Sequence, residues 1–173
     1  MVILDQSNFY ETIAGFYTFE NKVEEFSEQS FRNVYNSACA GKYKNIVYIL
    51  RSKEKVSRLK GESDILYIGQ TKHSFKKRYS PYSRLHVTSE ANKLKFEHII
   101  RSYGSISISV SDFSLFGDTL LQAEGQLLWW YFQNHCEYPP INYTKTSVRN
   151  RQIVTSGDVW HRDADNFSGV KRL

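Results

Sequence analysis

The carboxylate of Glu124 stands at an unexpected position in the sequence. The residues three and four positions away on a predicted helix are all leucines: Leu120, Leu121, Leu127 and Leu128. The side chain therefore faces the apolar side of the helix, where an uncompensated carboxylate is costly. Two interpretations stay open. Glu124 forms a buried ion pair with an arginine or lysine, or it is a ligand for a hard divalent cation, for which carboxylate oxygen is the natural donor.

A second group of candidate residues surrounds two tyrosines. Tyr48 and Tyr67 each precede an isoleucine, in the runs NIVYILR and ILYIG, which are predicted as strands. If the two strands form an antiparallel hairpin, a suitable register places both phenols on one face of the sheet. Arg78 follows Tyr67 by 11 residues and shares a helical face with Tyr82 if that segment is helical. Taken singly, each tyrosine is better explained as an ordinary core or surface residue.

These residues must be positioned by a small α/β domain. Periodicity predicts a three-stranded mixed or antiparallel sheet flanked by helices. The predicted helices are 20–41, SFKKRYS with Ser74 as its N-cap, 89–103 and 119–134. The predicted strands are 45–51, ILYIG and the alternating run SISISVSDFSLF, and the charged stretch 52–64 is predicted as an exposed loop.

Basic residues are unevenly distributed along the chain, whose net charge is +5. Residues 72–86 contain no acid, and aromatic residues are interleaved with the basic ones. Lysines and arginines that neutralise phosphates, together with rings for stacking, favour a nucleic-acid surface, although a solvated face explains the charge about as well. The residues predicted to contact DNA are Lys76, Lys77, Arg84, Lys145, Arg149 and Arg151.

Two cysteines, Cys39 and Cys136, stand far apart without metal-ligand spacing. This count predicts two reduced thiols in a cytoplasmic protein and argues against a structural zinc site. No apolar run reaches the roughly 18 residues of a membrane span, and the first residues do not resemble a secretory signal. We therefore expect no membrane association.

Five stretches in order, NIVYI, LYIG, KKRYSPY, AEGQLL and PPIN, resemble the GIY-YIG nuclease family. The resemblance covers about residues 45–145 and implies a GIY-YIG nuclease-like domain there. It leaves 1–44 as an N-terminal helical accessory segment and 146–173 as a basic, polar extension. The first motif lacks the family's glycine, and the 19 residues from Tyr48 to Tyr67 make a longer hairpin than usual.

The resemblance implies a role for each matching residue. Glu124 would hold one Mg²⁺ or Mn²⁺ ion, and Arg78 would bind a phosphate oxygen. The three tyrosines Tyr48, Tyr67 and Tyr82 would line the water and phosphate sites. Tyr48 is the candidate general base, and a phenol with a pKa near 10 needs help from a neighbouring cation or hydrogen bond for that role. The candidates for that help are Lys72 and His73.

Three further residues are assigned supporting roles. Gly69 is expected to let the backbone turn beside a phosphate where its strand ends. Asn142 in PPIN matches the asparagine that closes the family's core. His86 is a weaker candidate, more typical of a surface or DNA-contacting histidine.

The sequence therefore predicts a divalent-metal-dependent DNA endonuclease that hydrolyses phosphodiester bonds, of the sequence-specific, type II restriction kind. Alternatives are a phage, mobile-element or repair nuclease of loose specificity, or a non-catalytic nucleic-acid-binding module with the same fold. The expected partner is double-stranded DNA. A homodimer would allow both strands to be cut, and a bacterial or phage origin is expected.

Overall fold

A computed structural model describes residues 4–142 of the 173-residue chain. Its centre is a sheet of four strands in the order β1-β4-β2-β3, with every neighbouring pair antiparallel. The strands are β1 (Tyr17–Thr18), β2 (Ile46–Ser57), β3 (Glu62–Thr71) and β4 (Ile106–Asp112). The prediction of an α/β domain is confirmed, but the strand count was wrong. The fourth strand has only two residues, too few for a periodic signal.

Seven helices within the described residues flank this sheet. They are α1 (Phe9–Ala14), α2 (Glu28–Tyr35), α3 (Ala38–Lys42), α4 (Phe75–Tyr79), α5 (Tyr82–Thr88), α6 (Glu90–Tyr103) and α7 (Leu120–His135). Short 3₁₀ turns precede α1 and follow β4. The helix predicted over 119–134 is confirmed as α7, which begins at a capping box between Thr119 and Gln122. None of these helices is long and apolar enough to cross a bilayer.

The two faces of the sheet carry different side chains. Val47, Ile49 and Ile68 lie on one face and join a core with residues of α1 and α7, including Phe9 and Leu127. Tyr48 and Tyr67 are adjacent in sequence to residues on that face, so the alternation of strand side chains turns them to the opposite face. Helix α7 packs mainly along β3, which is an edge strand.

The single helix predicted over 20–41 was wrong. Val23 instead exchanges two backbone hydrogen bonds with Ile106 of β4, each 2.9 Å. Helix α2 begins only after Ser27, whose side chain caps it by accepting from the Ser30 amide. Ser37 caps α3 in the same way, so two caps divide the amphipathic pattern into two short helices.

The exposed loop predicted over 52–64 was also wrong. Strand β2 continues to Ser57 and β3 starts at Glu62, so only the turn from Arg58 to Gly61 is left. Gly61 adopts a φ of 70°, and its carbonyl accepts a hydrogen bond from the Arg58 amide. The charged residues can still form strands because backbone pairing does not require apolar side chains. Two register shifts interrupt the hairpin, and most of the charged side chains lie in solvent.

The chain divides into two compact units, Met1–Pro140 and Ile141–Leu173. All the strands and helices named above belong to the first unit, to which the N-terminal residues contribute both β1 and core side chains. Of the second unit the structure describes only residues 141 and 142. Cys39 and Cys136 are both free thiols, as predicted.

Candidate active site

Tyr48 lies in a cluster of aromatic side chains on one face of the sheet. It is fully buried, and its ring stacks on Tyr67 with centroids 5.9 Å apart. The rings of Phe75 and Tyr79 meet it edge-on at 5.2 and 5.5 Å. Its hydroxyl donates a 3.2 Å hydrogen bond to the hydroxyl of Tyr79. Because Tyr48 pairs with Gly69, two residues after Tyr67, the prediction that both phenols share one face is confirmed.

Gly69 does not turn the backbone, and that prediction was wrong. Strand β3 continues past it to Thr71, and the residue pairs directly with Tyr48. A Cβ atom at this position would lie 2.5 Å from Cε1 of Tyr67 and 2.7 Å from both Cζ and Oη of Tyr48. The absence of a side chain therefore creates the space into which both phenols fit.

Arg78 is an exposed residue of α4 that lies beside these phenols. Desolvation alone would lower the pKa of Arg78, but three nearby phenols outweigh it and raise that pKa above its ordinary value; they belong to Tyr48, Tyr82 and Tyr79. An exposed guanidinium next to a cluster of phenols is suited to binding a phosphate oxygen.

The environment of Tyr48 keeps its phenol protonated. Burial raises its pKa well above the ordinary value, and the neighbouring Tyr79 and Tyr67 raise it further. Arg78 acts in the opposite direction and lowers this pKa. At neutral pH Tyr48 is therefore a hydrogen-bond donor, as its bond to Tyr79 requires.

Tyr82 and Arg78 do not share one continuous helix, so the condition for their common helical face is not met. Helix α4 ends at Tyr79, and Pro81, which has no amide hydrogen to donate, stands immediately before α5. Tyr82 still reaches the cluster, since its ring centroid is 5.6 Å from that of Tyr79.

His86 is a buried residue and not the surface or DNA-contacting histidine that the sequence suggested. Only 5% of it is exposed, and its ring packs among those of Phe31, Tyr35 and Phe96, the last at 4.1 Å. Among the described residues, neither ring nitrogen has a hydrogen-bond partner. Burial, with a smaller contribution from Lys95, lowers the pKa of His86 to about 4.

The basic candidates are gathered at the end of the sheet where β3 leads into α4. Lys72, Lys76 and Lys77 are exposed there, and Arg84 is exposed on α5. Desolvation lowers the pKa of the half-buried His73, and the charges of Lys77, Lys72 and Lys44 lower it further. The hydrogen bond of the Tyr48 hydroxyl goes to Tyr79, so help to Tyr48 from Lys72 or His73 stays a prediction.

Glu124 is buried on α7, as predicted, with 3% of its surface exposed. Among the described residues it is the only buried carboxylate. Its neighbours Ala123 and Leu127 pack on the sheet face opposite to Tyr48. Helix α7, which carries Glu124, packs along the edge strand β3, which carries Tyr67 and Gly69.

The fit of a metal ion to this site depends on one carboxylate. Between residues 4 and 142 there is no group of three or more histidine, cysteine or acidic side chains that could hold an ion. A Mg²⁺ site does not require such a group, because this ion keeps several waters and commonly binds one or two carboxylates together with a substrate phosphate. Glu124 supplies one such carboxylate.

Several predicted residues lie outside the first unit. Asn142 belongs to the second unit, so its supporting role stays a prediction. Lys145, Arg149 and Arg151 lie outside the described residues, as does the extension 146–173.

Tyr79 is the member of the cluster that sequence reasoning missed. The spacing between Phe75 and Tyr79 was the available signal, because residues four apart on a helix share a face. Their rings stack with centroids 4.4 Å apart, which aims the Tyr79 hydroxyl at Tyr48. The partner residue could not be inferred from this spacing, since it comes from a strand 31 residues earlier.

No protein-family model, no curated protein and no solved structure matches this chain. The residue pattern and the geometry of the site therefore carry the functional argument by themselves.

Proposed function

We propose that this protein is a divalent-metal-dependent endonuclease that hydrolyses phosphodiester bonds in double-stranded DNA. The observation that carries the proposal is the position of Arg78, an exposed guanidinium beside the buried phenol of Tyr48 and the half-buried Tyr79. A cation for the phosphate next to hydroxyls that orient a water is what phosphodiester hydrolysis requires. The basic surface around Lys72, Lys76 and Lys77 supports DNA as the substrate.

Each residue has a separate task in this proposal. Arg78 binds a non-bridging phosphate oxygen, and Tyr67 and Tyr82 line the pocket around it. Tyr48 is protonated at the start and orients the water as a hydrogen-bond donor. It can accept a proton from that water only as a phenolate, after its own proton has passed to solvent, and the charge of Arg78 favours the phenolate by lowering the pKa of Tyr48. Glu124 would hold the ion, and a bound Mg²⁺ or Mn²⁺ would supply charge stabilisation at the phosphate and the leaving oxygen.

A non-catalytic nucleic-acid-binding module is the second candidate. The complete burial of Tyr48 favours it, because a general base must reach its water. Both candidates predict DNA binding, and only the first predicts that strands are cut.

Plasmid cleavage separates the two candidates. Wild-type protein with Mg²⁺ is expected to cut supercoiled plasmid, and chelation with EDTA is expected to stop the reaction. We expect Glu124→Gln and Arg78→Ala to lower the rate by about 10²- to 10³-fold, as removal of one electrostatic contact to a transition state typically does. Circular dichroism checks that both variants are folded.

Glu90→Gln is the matched control, since Glu90 is an exposed carboxylate in the first turn of α6. It should cut at the wild-type rate. Full activity in EDTA, or in Glu124→Gln, would contradict the metal-dependent mechanism. Plasmid that is bound but stays intact would favour the binding module. Discrete fragments would indicate a sequence-specific enzyme of the restriction kind, and a smear would indicate loose specificity.

A further inference from the structure

A groove of about 350 Å³ opens beside the short edge strand β1. Its lining includes Tyr17, Tyr43, Lys44, Val110 and Asp112. It is separate from the cluster around Tyr48, and the proposed reaction does not use it. The groove combines the exposed Tyr17 and Lys44 with the half-buried Tyr43. Aromatic rings next to a basic side chain are typical of surfaces that contact nucleic acids.

The register of the sheet relates this groove to the candidate active site. Tyr17 pairs with Val110, Val110 pairs with Tyr48, and Tyr48 pairs with Gly69. Residues paired across antiparallel strands point to the same face, so Tyr17 and Tyr48 lie in one row on one face of the sheet. Two strand intervals separate them, which is about 10 Å. At about 3.4 Å of helix axis per phosphate along one strand of duplex DNA, this distance corresponds to about three phosphates.

Lys42 lies against the two tyrosines that line this groove. Its amino group lies over the rings of Tyr17 and Tyr43, 5.9 and 5.1 Å from their centroids. A hydrogen bond with Tyr43 is the largest of the effects that raise the pKa of Lys42. The lysine is therefore charged and positioned before any ligand arrives, which reduces the entropy lost on binding an anion.

A series of lysines connects the groove with Arg78. Lys44 lines the groove, and Lys44, Lys72 and Lys77 all act electrostatically on His73. The side chain of Lys76 lies beside Gly41, next to Lys42. Within the described part of the chain, none of these lysines takes part in an ion pair. Their charge is thus available to an anionic ligand, and the main opposing charge in the groove is Asp112, whose pKa is lowered by hydrogen bonds from Ser114.

We propose that the groove binds a second backbone phosphate, which lies near the scissile phosphate on the same DNA strand. Lys42 is its main contact. The inference rests on the proposed function and extends it by a second phosphate site. The row of paired residues and the series of lysines both lead from this groove to the candidate active site. A DNA strand is the ligand that presents a phosphate at each end of that path.

Binding of a short fluorescein-labelled duplex in EDTA, followed by anisotropy, tests this site without cleavage. Lys42→Gln should weaken binding by about 3- to 10-fold at physiological salt. It should also reduce the slope of log affinity against log salt concentration by about 0.9, the value expected for one lost phosphate contact. Asp112→Asn keeps the oxygen that accepts from Ser114 but removes the charge, and it should bind more tightly than wild type.

Lys93→Gln is the matched control, because Lys93 is an exposed lysine on α6 that carries the same charge. If Lys42→Gln and Lys93→Gln show equal affinity and equal salt slope, the groove proposal is overturned while the proposed function stands. Wild-type protein that fails to bind the duplex would overturn both. A neutral methylphosphonate within about three nucleotides of the cut should weaken wild-type binding but leave Lys42→Gln unaffected. An equal loss in both proteins would also exclude this contact.

Discussion

The space opposite Tyr48 shows how one missing side chain shapes the candidate site. Gly69 sits in the middle of a strand with no conformational need for glycine, since its φ is not among the positive values. Its function is steric, because any Cβ would overlap two phenol rings. The same residue type at Gly125, on the exposed side of α7, has open space around it.

We expect Gly69→Ala to lower the free energy of unfolding by about 1–3 kcal/mol, because the added methyl group overpacks a well-filled cluster. Gly125→Ala should instead stabilise the protein by up to about 1 kcal/mol, since alanine is the better helix former. Urea denaturation measures both. A neutral effect of Gly69→Ala would show that the two phenols can move away from their stacked arrangement.

Burial is the main cause of the raised pKa of Tyr48, and Tyr79 adds to it through one hydroxyl. That hydroxyl accepts the Tyr48 proton in a hydrogen bond, and both its charge interaction and the bond raise the pKa of Tyr48. The ring stacking between Tyr79 and Phe75 does not involve the hydroxyl. A change to phenylalanine therefore isolates the polar contribution.

Tyr79→Phe is expected to lower the pKa of Tyr48 and to reduce stability by about 1 kcal/mol, the usual net value of one hydrogen bond. Ultraviolet titration of the tyrosines measures the first effect and urea denaturation the second. Under the proposed function, the alkaline part of the cleavage pH profile shifts downward as well. Tyr138→Phe, at an exposed tyrosine, serves as the control and should change neither quantity. An unchanged titration in Tyr79→Phe would contradict the role assigned to this hydroxyl.

Three helices meet around His86. Phe31 of α2 and Phe96 of α6 lie at 5.0 and 4.1 Å from its ring, while His86 itself belongs to α5. The imidazole is neutral in this apolar setting, and Lys95 on α6 also disfavours its charge. The packing of the three helices is thereby linked to pH.

The sign of this linkage follows from the lowered pKa. The folded protein keeps His86 neutral down to about pH 4, whereas the unfolded chain takes up the proton near pH 6.5. The stabilisation is present above pH 6.5 and is lost as the pH falls from 6.5 to about 4, with a magnitude of about 3 kcal/mol.

We expect His86→Phe to remove most of the loss of stability between pH 7 and pH 4.5, as measured by urea denaturation at these two pH values. His98→Phe, at an exposed histidine of α6, should retain it, and equal pH dependence in the two variants would refute the linkage.

At the scale of the whole molecule, local signals predicted the elements that they define. Thr119 caps α7 and Gly104 ends α6, and both helices were predicted within one or two residues. The bridge between Val23 and Ile106 and the strand β1 could not be predicted, because each depends on a partner far away in sequence. The candidate site also combines a local feature with a long-range one. Alternation in the hairpin predicted that the two phenols share a face, but the contact of Tyr48 with Tyr79 depends on how α4 packs on the sheet.

The strand order also determines when the sheet can form during synthesis. Strands β2 and β3 can pair as soon as residue 71 has left the ribosome, but Thr18 of β1 must wait for Ser109 of β4, 91 residues later. The second edge of β2, with its buried apolar residues, has no partner strand from the synthesis of residue 71 until Asp112 completes β4, 41 residues later. At ordinary translation speeds that interval lasts roughly 2 to 8 seconds. The nascent chain in this interval is therefore the species most prone to aggregate, and slower expression at low temperature with chaperones present should favour recovery of folded protein.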